Sequence, residues 1–302
     1  MEKLRYYTDD GTLLVRENLV LAFFVQATLD QVAQGFRRGI ELWLEHIPNN
    51  VLLFGEVGAS ASERKAMGAT TLSRCLALLK PGRLLKGDLT CFTLQGPEED
   101  NPSYRVELLA HHELDNKGHR SSLLEFRFPA DCEALTSIGS VVALAEKIAT
   151  VVSFDSGYLS PAVSWSYESD LFEASKVIGP LGLKYSGLDI HFNHSSSYGI
   201  NQRCRGPYWI TLVGSPALHK LGGFEKLKPT LPNVKNLGNG ILITAGSQPL
   251  IDDFYKNSNI TELQQVAKAL EPVTYFGDNT IRTYLFNRND EQFTRWDRRL
   301  LY

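Results

Sequence analysis

Three short apolar segments set the strongest limit on what this chain can fold into. Residues 88–94, 104–112 and 121–128 each read as a strand, and only the polar, turn-rich stretches 96–103 and 113–120 separate them. Parallel strands need a crossover of a dozen or more residues, usually a helix, so connections this short predict an antiparallel meander. The third segment, SSLLEFRF, alternates Leu124, Phe126 and Phe128 with Glu125 and Arg127. A period of two places the apolar residues on a core face and predicts a wet face for the two charges.

Elements around the meander supply its cover. Residues 18–27 (NLVLAFFVQA) read as a strand, and Thr28 or Asp30 can cap the helix that follows over 29–46. That helix carries Val32, Phe36, Ile40, Trp43 and Leu44 at helical spacing and stops before Pro48-Asn49-Asn50. A second amphipathic helix is expected over 62–79, ending at Pro81-Gly82, and a third opens at Pro129-Ala130-Asp131 and runs to about residue 149. Sheet and covering helices make an N-terminal α+β subdomain of residues 1–150.

The second half has a different texture. Residues 156–167 alternate small and aromatic residues around Pro161, which predicts an edge or bulged strand. A short helix over 168–178 ends at Gly179-Pro180, and the polar stretch 184–205, with His191 and His194, reads as a long loop. Strands are expected at 206–214 and 240–245, the latter paired with 234–237, and helices at 216–220, where Ser215 can cap, and 261–270. Residues 290–302 place Phe293, Trp296, Leu300 and Leu301 at near-helical spacing beside three arginines. The overall expectation is α+β: antiparallel sheets covered by helices, in two similar-sized subdomains, 1–150 and 151–302. Strand, helix and strand in both halves leave room for a diverged duplication.

Composition narrows the function classes. The chain has 302 residues, 43% hydrophobic and 22% charged, which supports a packed core and excludes wholesale disorder. A formal net charge of −3 gives no broad positive field, so direct nucleic-acid binding is not expected. The longest apolar run, residues 19–25, is far short of the roughly 20 residues of a membrane helix. The first residues lack the apolar stretch of a signal peptide, so a cytoplasmic location is expected and membrane association is not. Cys75, Cys91, Cys132 and Cys204 match no zinc or CxxC spacing and read as reduced thiols.

Catalytic patterns are sparse. No phosphate-binding glycine loop and no GxSxG elbow occurs, so no cofactor is called for. His111-His112 point to opposite faces of a strand and His191/His194 form an i, i+3 pair, neither of which makes a set of three or four metal ligands. Cys204 lies between Arg203 and Arg205, whose charges could favour a thiolate. The adjacent acids Asp9-Asp10, Glu98-Glu99-Asp100 and Asp252-Asp253 have no spacing that aims two carboxylates at one substrate. The residues therefore assign no catalytic group and no metal site.

An ordered series of motifs supplies the positive signal. SFDSGYLSPAVSWSY (153–167), YSGLDIHF (185–192), GPYWITLVGSPALHKLGG (206–223), GNGILITAGSQPLIDDF (238–254) and VAKALEPV (266–273) together resemble the type VI secretion immunity proteins, first catalogued as a domain of unknown function. Resemblance in residues 1–128 is looser, limited to the order of a strand, a long helix, a meander and SLLEFRFP. Members of that family protect bacteria against an antibacterial VRR-NUC nuclease delivered by neighbouring cells. The resemblance implies a non-enzyme whose partner is the cognate nuclease effector and whose action is to occlude that enzyme's DNA-binding or active site.

Charge patterning adds a candidate contact region. Residues 1–128 carry a net −2, residues 129–200 a net −5 and residues 201–302 a net +4. One reading is that acidic and basic elements neutralise each other across the folded surface. The other is an acidic middle facing the basic rim of a nuclease, with Asp155, Glu168, Asp170, Glu173 and Asp189 as acids and Tyr158, Trp165, Tyr167 and Tyr198 as aromatic anchors. Glu98, Glu99, Asp100, Asp252 and Asp253 are second choices. Two other classes stay open at this point: a hydrolase using Cys204 or the His191/His194 pair, and a structural adaptor of the secretion apparatus.

Overall fold

The computed structural model describes residues 4–57, 65–82, 88–96, 103–114, 119–130, 138–165, 171–231, 233–249 and 259–302. Its centre is one long strand, β2 (Leu13–Val25), in which all but the first residue is buried. It starts five residues before the expected NLVLAFFVQA run, because Arg16, Glu17 and Asn18 are also buried. Their polarity hides a strand start whose partners lie elsewhere in the chain. Glu17 Oε2 accepts from the Leu4 amide at 3.0 Å, and Asn18 Nδ2 donates to Ser164 Oγ at 2.6 Å.

On one side of β2 runs the expected meander: β5 (Leu89–Gln95), β6 (Arg105–His111) and β7 (Ser122–Pro129), all antiparallel. Beyond β5 lie β3 (Phe54–Val57) and β4 (Lys65–Ala66), and β1 (Tyr6–Tyr7) pairs with β2. On the other side of β2 lies β8 (Ser156–Trp165), followed by β10 (Ile210–Gly214), β12 (Gly240–Thr244) and β11 (Val234–Asn236). The β2–β8 ladder joins the two halves of the chain in one sheet, with Leu19 opposite Pro161 and Phe23 opposite Gly157.

Pro161 therefore sits in a central strand, against the expectation of an edge. Ser156 to Leu159 pair with β10, while Ala162 and Val163 pair in parallel with the two-residue β9 (Asp189–Ile190). Carbonyls of Asp155 and Val163 face these partners, accepting from Gly214 and His191. Alternation puts residue 161 on that same side, in the gap between the two ladders, where a missing N–H forfeits no bond.

The main apolar core forms on the face carrying Leu21, Phe23, Leu124, Phe126 and Phe128. It is covered by α1 (Leu29–Leu44), α2 (Thr71–Leu78) and α3 (Ile138–Val151). Gln31 accepts from the Thr28 amide at 2.9 Å, fixing the start of α1 where the sequence places a cap. Trp43, fully buried on α1, lies 5.5 Å from Phe126 and 6.1 Å from Phe128. Gly35 lets α1 approach α3, since a Cβ there would meet the Val151 carbonyl at 2.6 Å.

Two further clusters complete the body. Leu14, Val15, Val163 and Trp165 pack with α4 (Leu171–Lys184), α9 (Asn279–Leu285) and α10 (Asp290–Asp297). Val213, Ile241 and Ile243 pack with α6 (Ser215–Lys220), α7 (Phe224–Leu227) and α8 (Thr261–Leu270). Gly214 rather than Ser215 is the N-cap of α6, and the Ser215 hydroxyl donates instead to the Asn239 carbonyl at 3.1 Å.

Candidate functional site

The second face of the central strands carries charge. Glu125 and Arg127 on β7 alternate with the apolar core residues, as the sequence indicates, yet both are only 1% exposed. What covers them is the stretch expected to be an open loop. It forms β9, a single turn α5 (Asn193–Ser196) and a return segment, and it buries Asp189, His191, Asn193, Ser196 and Ser197 against the sheet.

Register sets up the site. Arg105 lies opposite Arg127 and Glu107 opposite Glu125, so like charges face each other across β6 and β7. Like pairs in that position are unfavourable unless neutralised nearby. Each strand neutralises its own pair: Arg127 Nε lies 2.9 Å from Glu125 Oε1, and Arg105 Nη2 lies 3.0 Å from Glu107 Oε2. The covering segment then brings one histidine to each glutamate, His191 Nε2 at 2.7 Å from Glu125 Oε2 and His194 Nδ1 at 3.2 Å from Glu107 Oε1. The result is a two-by-two charge lattice capped by two imidazoles.

The two histidines shift in opposite directions. Burial, reinforced by Arg127, lowers the pKa of His191, whose ring is hydrogen-bonded to Glu125. His194 is raised, first by its hydrogen bond to Glu107, and its side chain is 47% exposed. Burial disfavours the Glu107 carboxylate, but Arg105 and the His194 bond outweigh it and hold the pKa down to about 2. Burial likewise opposes the Glu125 charge, and His191, Arg127 and the Asn193 amide together keep it well below the usual carboxylate range.

A second buried group adjoins the lattice. Asn193 Nδ2 donates to Glu125 at 2.8 Å and to the Tyr158 hydroxyl at 2.7 Å. Tyr158 donates to Asp189 at 2.8 Å, Tyr208 donates to the same carboxylate at 2.6 Å, and Arg205 closes an ion pair with it. Arg205 Nη2 also donates to the Ile190 carbonyl at 2.7 Å, which ties β9 to the return segment. Burial and the Asp189 charge push both phenols above their ordinary range, so both stay protonated donors. Ser196 carries the chain of bonds onward to Asp278 at 2.8 Å, whose other oxygen caps α9.

Against this geometry the expected contact residues separate into four groups. Tyr158, Trp165 and Asp189 are internal: Trp165 stacks on Phe192 with centroids 5.1 Å apart, and Asp189 is wholly buried. Asp155 is partly buried, and its carboxylate accepts from the Gln26 amide at 2.6 Å at the end of β2. Glu173 and Tyr198 are at the surface, Glu173 beside Lys176 on α4 and Tyr198 just beyond α5. Tyr167, Glu168 and Asp170 lie outside the described residues, as do Glu98, Glu99, Asp100, Asp252, Asp253 and Cys132.

Segregated sequence charge is partly cancelled by the fold. Glu146 pairs with Lys235 at 2.5 Å and Asp189 pairs with Arg205, each joining the acidic middle to the basic third segment. Sequence reasoning missed Glu107, Glu125, Arg127, Asn193, Arg205 and Tyr208 as members of one network. A signal was present: RVE at 105–107 and EFR at 125–127 are mirror images on adjacent antiparallel strands.

The features behind a catalytic reading look different in place. Cys204 is 1% exposed and burial pushes its thiol up to about 12, the opposite of an activated nucleophile. Its flanking arginines point elsewhere, Arg203 to the Gly199 carbonyl and Arg205 to Asp189. Among the described residues no group of three or more His, Cys, Asp or Glu side chains could hold a metal ion, and no helix is long and apolar enough to cross a membrane.

Comparison with known proteins agrees with the fold and motifs. A family model described as type VI immunity for VRR-NUC (TsiV) matches residues 69–300. Among solved structures, the Pseudomonas aeruginosa T6SS protein PA0821 superposes with a TM-score of 0.76 at 17% identity, covering 99% of this chain and 87% of that one. At that identity the likeness is one of fold. No curated protein matches the chain.

Proposed function

Since the chain belongs to the family of type VI immunity proteins for VRR-NUC, we propose that it binds a cognate VRR-NUC nuclease effector and neutralises it by occluding the DNA-binding or active site. The family match across residues 69–300 is the observation that carries this reading. Its physical corollary is that the protein acts by contact. The polar interior supports that corollary, because its carboxylates, imidazole and phenols are engaged with one another and its buried thiol is protonated. A body whose buried charges are paired with one another suits an inhibitor that presents a preformed surface.

Titration of DNA cleavage tests the reading. Purified nuclease at a fixed concentration well above the dissociation constant is mixed with increasing amounts of this protein, and residual cleavage is measured. Binding predicts a linear loss of activity that ends at a fixed, near-equimolar ratio. Complete protection at a small fraction of an equivalent would instead mark an enzyme that destroys the toxin or its product. No loss of cleavage at any ratio would overturn the immunity reading.

A further inference from the structure

The surface outside the histidine-capped lattice has a composition that the interior does not explain. Tyr198 follows α5 and is 41% exposed, so part of its large ring meets solvent. Its ring is held from several sides. His111 lies 5.8 Å away edge-on, the half-exposed His194 is also 5.8 Å away, and the Arg120 guanidinium is 6.0 Å from the centroid. Two bonds from Ser121 tie the contributing loops together: its amide donates to the Ser197 carbonyl at 2.8 Å, and its Oγ donates to the Asn201 carbonyl at 3.2 Å.

Cationic groups continue around the ring. Arg203 donates to the Gly199 carbonyl, next in sequence to Tyr198, and its guanidinium stacks 4.5 Å over Tyr275. Glu107, the nearest acid of the lattice, is already engaged by Arg105 and His194 and adds no free negative charge. Among the described residues, then, this face combines an anchored, half-exposed tyrosine with two arginines and a raised-pKa histidine. Tyrosine and arginine are the residue types in which binding energy concentrates, above all where the ring is pre-positioned.

The geometry points to the face formed by Tyr198, Arg120, His194 and Arg203 as the docking surface for the nuclease, meeting an acidic rather than a basic part of it. The proposal rests on the immunity reading and reverses the sign expected from the acidic middle of the sequence. Two of that segment's acids are turned to internal partners, Asp189 to Arg205 and Asp155 to the Gln26 amide. A nuclease that binds a divalent cation must present carboxylates around the metal, and these are the complement to an arginine-flanked tyrosine. Seated there, the face would cover the metal-binding end of the DNA path.

Charge and truncation variants decide it. Binding to the isolated VRR-NUC domain of the effector is measured by stopped-flow or biolayer interferometry at low and high salt. The set is wild type, Tyr198→Ala and Arg120→Glu on the proposed face, and Phe172→Ala and Glu173→Lys on α4. Circular dichroism and melting temperature check that each folds. The expected result is about tenfold or greater loss of affinity for Tyr198→Ala. Arg120→Glu should associate more slowly with a flatter salt dependence, and the two α4 variants should bind as wild type does. If Tyr198→Ala lowers the melting temperature, Arg120→Glu alone decides. Wild-type binding that neither substitution on the face changes, or faster association of Arg120→Glu, would overturn this surface alone. Absence of wild-type binding would overturn the immunity reading with it.

Discussion

The two faces of strand β7 teach opposite lessons from one alternating sequence. Leu124, Phe126 and Phe128 enter a dry core under α1 and α3, where cohesion is non-directional and grows with buried area. Glu125 and Arg127, one residue out of phase, enter an equally buried layer held by directional bonds to His191 and Asn193. The first layer tolerates conservative exchange and fails when a cavity opens. The second weakens when one charge is removed alone, because the opposite buried charge then loses a partner.

The largest expected effect lies in the dry layer. Phe126→Ala, which removes the ring packed against Trp43, should cost about 3–5 kcal/mol in urea unfolding. In the charged layer Glu125→Leu alone should cost about 3 kcal/mol, because Arg127 and His191 lose their acceptor. Adding Arg127→Leu should recover part of that loss, whereas a second truncation in the dry layer should only deepen the damage. A double variant no better than Glu125→Leu would show that the two layers obey the same rule after all.

A smaller effect is expected where the charged layer reaches the helices. Asp278→Ala removes both the cap of α9 and the acceptor for Ser196, and should cost about 1–2 kcal/mol. Retention of wild-type stability would break the claimed link between the covering segment and α9.

The smallest effect is a pH dependence. His194 has a folded pKa above the unfolded value of about 6.5, so its stabilisation is complete below that value and is lost as pH rises through the raised one. The advantage of wild type over His194→Gln should therefore shrink when unfolding midpoints are followed from about pH 6 to about pH 9. Glu107, held low, works in the other direction. Its stabilisation is present above the unfolded pKa of about 4.3 and disappears as pH falls toward the folded value of about 2.

The dry layer was largely legible in the sequence. The meander and the inward Val32, Phe36, Ile40 and Trp43 of α1 follow from apolar periodicity, which reports burial directly, and Thr28 is one of the two caps the sequence offers. The charged layer was not. Periodicity reads Glu125 and Arg127 as wet, and the polar stretch 184–205 as a loop, because polarity marks exposure unless a partner distant in sequence supplies the bonds. His191 and Glu125 are 66 residues apart, and nothing local announces their meeting. The same limit governs the contact residues, where Asp189 and Tyr158 read as surface groups in sequence and are joined to each other in the interior.

If the charged layer is scaffold and the Tyr198 face is the contact, hydrogen–deuterium exchange with and without the nuclease will separate them. New protection is expected in residues 119–121 and 194–203, with the amides of the buried strands β7 and β8 unchanged. Protection confined to α4, or faster exchange in β7 as the charged layer opened to meet its partner, would contradict that division of roles.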